Sequence, residues 1–185
     1  GLETAVQEGQ ISDEGAVREW LASVLEHGAG WTDAVILAQA AHGADPASLA
    51  ELSAALSPSA ERRRETEAQG AAFAATVSEV WSVTIHPAPY PVAVGQAVAA
   101  LNLPLRDALR LYLQAFVANL VGAAQRLVPL GQTAAQRVVL ALGPLCETLA
   151  ARAETAEMDD LGGFAPALDI ASQRHDMLYS RLFRS

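Results

Sequence analysis

The sequence predicts an all-α protein, a single-domain bundle of roughly eight to ten helices that spans residues 1–185. Ala accounts for 39 of the 185 residues, whereas aromatic residues make up only 5%. This composition favours closely packed helices and argues against a β-sandwich. Apolar residues also recur at the three- to four-residue spacing of a helix, and sustained alternation is hard to find. A chain of this length with 51% hydrophobic residues can bury one substantial core.

Capping residues place the helices of the first half of the chain. A Ser, Thr or Asp side chain before an apolar pattern accepts a hydrogen bond from the first helical turn, so it predicts a helix start. The predicted N-caps are Ser12 or Asp13, Thr32, Asp45 followed by Pro46, and Ser59. Gly28, Gly43 and Pro58 are predicted to end the helices before them. The charged run from Glu61 to Glu67 predicts a salt-bridged, solvated helix face.

Prolines divide the second half of the chain. The segment HPAPYP over residues 86–91 predicts a connector, because closely spaced prolines cannot continue a helix. The predicted helices cover residues 91–101, 104–128, 133 onward and 169–183. Thr133 is the predicted cap of the third, and Gly143-Pro144 is expected to kink or break it. Residues 129–131 and 159–166 are predicted to be a turn and a loop.

The net charge of -9 lies in the first half of the chain. Residues 1–92 contain 13 acidic residues and 4 Arg, whereas residues 93–185 contain 8 of each. An acidic chain without a basic stripe is a poor binder of nucleic acid and of anionic membranes. The apolar, uncharged stretch of residues 111–125 is shorter than the ~20 residues that a membrane span needs. It predicts a central buried helix, and we expect neither a nucleic-acid nor a membrane partner.

The sequence shows no set of residues typical of catalysis or of a cofactor or metal site. The four histidines are His27, His42, His86 and His175, and none lies three or four positions from another. Cys146, the single cysteine, lies in an apolar run and is predicted to be a small buried side chain. One cysteine excludes an internal disulfide and favours a cytoplasmic location. We therefore expect a protein that is not an enzyme and has no cofactor.

Two segments have a composition that packing alone does not explain. The first is QRLVPLGQT, residues 125–133, which places polar side chains around a Pro-Leu-Gly turn between two apolar helices. The second is the C-terminal end, residues 174–185, where Tyr, Leu and Phe alternate with Arg. Chain ends usually become polar, whereas aromatic residues and Arg are the commonest anchors of interfaces. This composition predicts a tail that docks on its own domain or on a partner.

These two segments resemble the UreF family of urease accessory proteins. The turn QRLVPLGQT and the ending SRLFRS, residues 180–185, carry the most specific similarity. Further matches occur in family order and span nearly the whole chain: GLETAVQEG at Gly1, ERRRETEAQGAAF ending at Phe73, PYPVAVGQAVAALNLP ending at Pro104, and ALDIASQRHDMLYSRLFRS. The Pro-, Gly- and Ser-rich lead-in of the family is absent, and the first residue is not Met, so we expect that an N-terminal segment is missing. Residues 176–178 are Asp-Met-Leu where the family often has Glu-Thr-Gln.

The resemblance implies an all-helical, non-catalytic scaffold for urease maturation. Such a protein binds a UreD/UreH-type accessory protein, recruits the UreG-type GTPase, and docks on apo-urease to support nickel insertion. The family also tends to form a homodimer and is thought to gate or activate the GTPase. Residues 169–185 would be a partner-binding tail that orders on binding. The partner-binding residues would be Arg126, Gln132, Thr133, Arg174, His175, Tyr179, Ser180, Arg181, Phe183 and Arg184.

Two other functional classes remain open from the residues alone. A ligand-binding helical domain of a dimeric regulator has the same Ala-rich, acidic composition, and it predicts a closed apolar pocket and a small-molecule ligand. An enzyme would need distant groups such as His86, Asp169 and His175 to converge, and nothing in their spacing predicts this.

Overall fold

The computed structural model describes residues 1–161 and confirms the predicted all-α class. The described residues form eight α-helices and one 3-10 turn, and none of them forms a β-strand. The helices are α1 (Leu2–Gln7), α2 (Glu14–His27), α3 (Ala29–Ala41), α4 (Pro46–Ala55), α5 (Ala60–Trp81), α6 (Tyr90–Ala100), α7 (Leu105–Leu127) and α8 (Gln132–Ala153). The 3-10 turn is Met158–Asp160. The helix predicted over 169–183 lies outside the described residues.

Three of the predicted N-caps are confirmed by their hydrogen bonds. The Asp13 carboxylate accepts from the amide of Ala16 at 2.9 Å, and the Asp45 carboxylate accepts from the amide of Ser48 at 2.8 Å. The Ser59 hydroxyl accepts from the amide of Arg62 at 3.2 Å. These starts are predictable because a cap needs only residues within the same turn.

The two predicted Thr caps are wrong. Thr32 lies inside α3, which begins at Ala29 directly after Gly28. The turn between α2 and α3 is tight, because a Cβ at Gly30 would lie 2.6 Å from the Cα of Leu25. Thr133 lies inside α8, whose N-cap is the extended Gly131 without a side-chain cap. In both places a glycine is the N-cap, and the helix has already begun before the Thr.

Prolines have a weaker effect than the sequence predicts. Helix α8 continues through Pro144 without the break that we considered. Gly143 precedes this proline and has no Cβ to collide with its ring, so the helical backbone is accessible there. Helix α6 begins at Tyr90 instead of Pro91, with Pro91 in its first turn, where a proline is well accommodated. The connector of residues 86–91 is therefore shorter than predicted.

Helix α3 is the central helix of the bundle. Nine of its residues are buried, including Val35, Ile36 and Leu37 at 0% exposure. It packs against α6 on one side and against α2, α7 and α8 on the other. Helices α7 and α8 pack along each other, and α5 packs on α6 around a small second core that includes Val77 and Ile85. The uncharged stretch of residues 111–125 lies in α7 and contributes Leu113 and Val117 to the main core, but it is not the central buried helix that we predicted, because its other face is exposed and Leu111 is 59% exposed.

Two glycines allow close helix contacts. A Cβ at Gly95 of α6 would collide with the carbonyl oxygen of Leu37 and lie 2.5 Å from the Cβ of Ala40, both on α3. A Cβ at Gly70 of α5 would collide with the carbonyl oxygen of Ala88 in the connector. Glycine is therefore required at both positions by backbone proximity, which sequence alone does not reveal.

Two polar side chains of α3 and the side chain of its C-cap residue hold the segment that follows α8. The indole nitrogen of Trp31 donates to the carbonyl of Asp160 at 3.0 Å, and the Gln39 amide donates to the carbonyl of Ala156 at 2.6 Å. The Nε2 atom of His42 lies 3.0 Å from the carbonyl oxygen of Glu154. This segment therefore runs antiparallel to α3, toward the start of that helix.

Cys146 has the buried position that the sequence predicts. Its side chain is 1% exposed, and burial raises the pKa of the thiol to about 11. At about pH 8 the thiolate fraction is then about 10⁻³, whereas an unfolded thiol with a pKa near ~8.5 is about one quarter ionised. We expect iodoacetamide to modify the native protein about 200-fold more slowly than the urea-unfolded protein at about pH 8.

The same shift predicts how stability depends on pH. The unfolded chain loses the thiol proton first, so the free energy of unfolding should fall as the pH rises from ~8.5 toward about 11. For the iodoacetamide experiment, mass spectrometry of the alkylated protein measures the modification rates of the native and the unfolded protein. Equal rates would contradict the burial of the thiol.

None of the helices within residues 1–161 is both long and apolar enough to cross a lipid bilayer.

Candidate partner-binding surface

The turn between α7 and α8 is anchored in the core by its apolar residues. Val128 and Leu130 are 5% and 8% exposed, and the amide of Leu130 donates to the carbonyl of Val128 at 2.6 Å. The side-chain amide of Gln125 donates to the side-chain oxygen of Gln132 across the turn at 3.1 Å. The turn is therefore a defined structure whose polar side chains are presented outward.

The structure places three of the ten predicted partner-binding residues. Arg126 is exposed on the last turn of α7, while Gln132 and Thr133 are exposed on the first turn of α8. All three lie at one end of the α7–α8 pair, and Arg126 also lines a large groove. The other seven lie outside the described residues: Arg174, His175, Tyr179, Ser180, Arg181, Phe183 and Arg184.

The groove is the main concave feature beside this turn. It has a volume of about 1070 Å³, is open to solvent, and runs between α5 and α7 with the start of α1 at its border. The α7 side contributes mainly apolar groups, such as Phe116 and Leu120. The α5 side contributes polar and charged groups, such as Glu61 and Glu65. An open groove with charged borders differs from the closed apolar pocket that the regulator hypothesis predicts.

A network of three polar side chains joins the helices at the Tyr112 end of the groove. The carboxylate oxygen Oδ2 of Asp33 accepts from the guanidinium of Arg62 at 2.9 Å and from the hydroxyl of Tyr112 at 3.0 Å. Asp33 belongs to α3, Arg62 to α5 and Tyr112 to α7, so the network connects three helices. Arg62 also lies 3.5 Å from the carboxylate of Glu65.

Burial controls the electrostatics of this network. Burial raises the pKa of the Asp33 carboxyl, although the Arg62 charge and the Tyr112 hydrogen bond both act to lower it. Burial and the charge of Asp33 raise the pKa of Tyr112 well above its ordinary value. The Tyr112 hydroxyl is therefore a neutral donor at physiological pH, and Asp33 has two donors to offset its burial.

Aromatic packing extends the network toward α6. The ring of Tyr90 stacks on that of Tyr112 at 5.6 Å between centroids, and the ring of Phe73 meets Tyr90 edge-on at 5.6 Å. The Thr66 hydroxyl accepts from the amide of Tyr90 at 3.1 Å, which fixes the start of α6 on α5. The groove therefore has a rigid end built from α3, α5, α6 and α7.

The position of Arg62 contradicts one prediction made from the sequence. The run Glu61 to Glu67 was predicted to be a solvated face, and the exposed pair Arg63–Glu67 at 2.9 Å fits that prediction. Arg62 does not, because its guanidinium reaches the buried carboxylate of Asp33. The signal available in the sequence was Asp33 itself, a carboxylate directly before the apolar run AVILA, which needs a partner if its helix is buried.

No group of three His, Cys, Asp or Glu side chains within residues 1–161 is arranged to hold a metal ion. Of the groups named for the enzyme hypothesis, Asp169 and His175 lie outside these residues.

Comparison with known proteins places the chain among urease accessory proteins. The sequence model of the UreF family matches residues 11–143. The chain is 51% identical over 185 residues to the urease accessory protein UreF of Cereibacter sphaeroides strain KD131, covering all of this chain and 88% of that protein. It is 46% identical over 200 residues to UreF of Rhodopseudomonas palustris strain HaA2 and 45% identical over 188 residues to UreF of Roseobacter denitrificans. Each of these last two alignments covers all of this chain and 84% of the relative.

Proposed function

The chain belongs to the UreF family of urease accessory proteins, and from this premise we propose that it is the scaffold on which the urease maturation complex assembles. Its partners in this proposal are a UreD/UreH-type protein, a UreG-type GTPase, apo-urease and a second copy of the chain. The observation that carries the proposal is 51% identity to a named UreF over the whole chain. In this role the chain does no chemistry itself, gates GTP hydrolysis by its partner, and supports nickel insertion in the cytoplasm.

The exposed turn and the C-terminal segment are the proposed contact residues. Arg126, Gln132 and Thr133 are all exposed at one end of the α7–α8 pair, so a single partner surface can reach them. The Arg residues of the C-terminal segment would bind partner carboxylates through paired hydrogen bonds. Tyr179 and Phe183 would fill apolar pockets on the partner.

Co-elution on a sizing column tests this assembly. The chain is mixed with a UreD/UreH-type protein, and the UreG-type GTPase is added with GTP and magnesium. We expect a stable ternary peak. Elution of the chain alone with both partners, repeated with a longer form that restores the Pro-, Gly- and Ser-rich lead-in of the family, would overturn the proposal.

Arg181→Ala is expected to weaken GTPase recruitment at least 30-fold, as for an interface residue worth about 2 kcal/mol. The thermal midpoint of the isolated chain should stay the same. Arg18→Ala is the matched control, since it removes the same charge from an exposed position of α2 far along the chain. Titration of the GTPase followed by sizing chromatography gives both affinities. Equal recruitment by the two variants would exclude Arg181 as a contact residue.

A further inference from the structure

The segment of residues 154–161, which we call the strap, continues the chain beyond α8 and lies along the central helix α3. Three of its main-chain carbonyl oxygens lie 2.6–3.0 Å from side-chain nitrogens of Trp31, Gln39 and His42. These contacts reach the backbone of the strap, so they fix its path whatever side chains it carries. An otherwise apolar central helix therefore uses its polar side chains to hold this segment.

The strap is also fixed by its own side chains. The carboxylate of Glu154, its first residue, accepts a hydrogen bond from the Nε atom of Arg106 at 2.8 Å. Ala156 is 7% exposed and belongs to the main core. Leu161, its last residue, packs against both the main core and the third apolar cluster. The strap is thus anchored at its beginning, its middle and its end.

Helices α3 and α7 run in opposite directions. Arg106, in the first turn of α7, binds Glu154 where the strap passes His42 at the C-terminal end of α3. Further along α7, the hydroxyl of Tyr112 donates to Asp33, which lies near the start of α3. Because the strap runs from the C-terminal end of α3 toward its start, it runs in the same direction as α7.

The strap therefore leads toward the exposed turn of residues 125–133. The last residue of α7 lies 15 residues beyond Tyr112, or about 22 Å at the helical rise of ~1.5 Å. Asp33 lies four residues after the start of α3, or about 6 Å on the same basis. The turn is then about 16 Å beyond the end of the strap. The next residues, 162–168, can span at most about 25 Å, so the C-terminal segment that follows them can reach the turn.

We propose that the strap is a positioning element, which directs the C-terminal segment of residues 169–185 to the exposed turn so that both bind one partner as a single surface. This inference rests on the proposed role as a scaffold, and it assigns Trp31, Gln39 and His42 as positioning residues in that role. A segment that starts close to the turn has a high effective concentration there and loses less freedom when the partner binds.

Two matched pairs of substitutions test the strap in the full chain. Gln39→Met with His42→Ala, the strap variant, removes two of the three contacts and keeps that of Trp31. Gln96→Met with His86→Ala is the control pair, because the Gln96 amide donates to the main-chain carbonyl of His86 at 3.0 Å, the same kind of contact in a different connector. Both pairs replace a half-buried Gln and an exposed His. Circular dichroism melting should give similar thermal midpoints for the two pairs.

Two measurements on the isolated chain test whether the strap is fixed in place. Amide hydrogens of residues 154–161 should exchange about tenfold faster or more in the strap variant than in the control pair. Nitroxide labels on Asp159→Cys and Gln136→Cys, both at exposed positions, should give a narrow distance distribution that broadens only in the strap variant. The native Cys146 is 1% exposed and should remain unlabelled. Equal exchange or equal distributions in the two pairs would overturn the inference.

Recruitment of the UreG-type GTPase tests the consequence for binding. The strap variant should bind about tenfold more weakly or worse, whereas the control pair should bind as the unmodified chain does. Adding Arg181→Ala should then cost less than about threefold in the strap variant but about 30-fold or more in the control pair, since an unpositioned segment contributes little. A loss of stability alone would leave the effect of Arg181→Ala the same in both backgrounds, and that result would overturn the positioning role.

The outcomes separate this inference from the proposed function. The exchange and distance measurements need no partner, so a strap that is released only in the strap variant would support its positioning role even if co-elution failed. In that case the scaffold role alone would fall. Successful co-elution with equal recruitment by the strap variant and the control pair would overturn the positioning role and leave the scaffold role standing.

Discussion

Asp33→Ala should lower the free energy of unfolding by about 3–5 kcal/mol, which is the usual cost of breaking a buried ion pair by removing one partner. The truncated side chain leaves the Arg62 guanidinium without its 2.9 Å carboxylate and the Tyr112 hydroxyl without its 3.0 Å acceptor. Both groups are largely withdrawn from water, so solvent replaces only part of what is lost. Because the total free energy of unfolding of a small domain is about 5–15 kcal/mol, the expected loss is a large fraction of that total.

Urea denaturation followed by the fluorescence of the three Trp residues measures this loss. Asp107→Ala is the control, since Asp107 is an exposed carboxylate 3.7 Å from Arg110, and we expect a change within about 0.5 kcal/mol. Replacing both partners, with Asp33→Ala and Arg62→Met, should cost less than the sum of the single changes, because no buried charge is then left alone. A loss below about 1 kcal/mol for Asp33→Ala would show that the network adds little to stability.

Gly95→Ala is expected to lower the free energy of unfolding by about 3 kcal/mol, at the upper end for overpacked cores. The added methyl group would collide with the carbonyl oxygen of Leu37 and lie 2.5 Å from the Cβ of Ala40. Backbone of a buried central helix cannot move aside as the end of a flexible side chain can, so α6 must separate from α3. The separation would also open the contacts of Val92 and Ala93, which are both fully buried.

Gly122→Ala is the matched control for this prediction. Gly122 lies inside α7, and a Cβ there would have no neighbouring atom within 4 Å. The same substitution should therefore stabilise the protein by about 0.5–1 kcal/mol through helix propensity. Urea denaturation of the two variants compares them directly. Equal stability of Gly95→Ala and Gly122→Ala would contradict close backbone contact between α3 and α6.

Local signals in the sequence predicted much of the helix order. The caps at Asp13, Asp45 and Ser59 depend on atoms within one turn, and all three are confirmed. The caps at Thr32 and Thr133 are wrong, since those helices begin earlier, with Gly28 and Gly131 as their N-caps. The break at Pro144 did not occur, because an exposed proline after a glycine can be accommodated within a long, well-packed helix.

The candidate surface was predictable only in part. The turn of residues 125–133 was identified from its polar groups, and the structure presents Arg126, Gln132 and Thr133 outward. The groove was not foreseen, because its two sides are 61–72 on α5 and 112–127 on α7, about 50 residues apart in the chain. The role of Arg62 was missed for the same reason, since its partner Asp33 belongs to another helix.

The sequence by itself determined the all-helical class, the membership of the UreF family and the position of most helices. These properties follow from periodicity, capping and motif, and each depends on residues that are near neighbours in the chain. Only the tertiary structure decided which polar residue is buried, which glycine is essential and where a groove remains. Those properties depend on distances between residues that are far apart in sequence, and such distances are set by how the helices pack. Asp33, Gly95 and the groove between α5 and α7 acquire their properties from that packing.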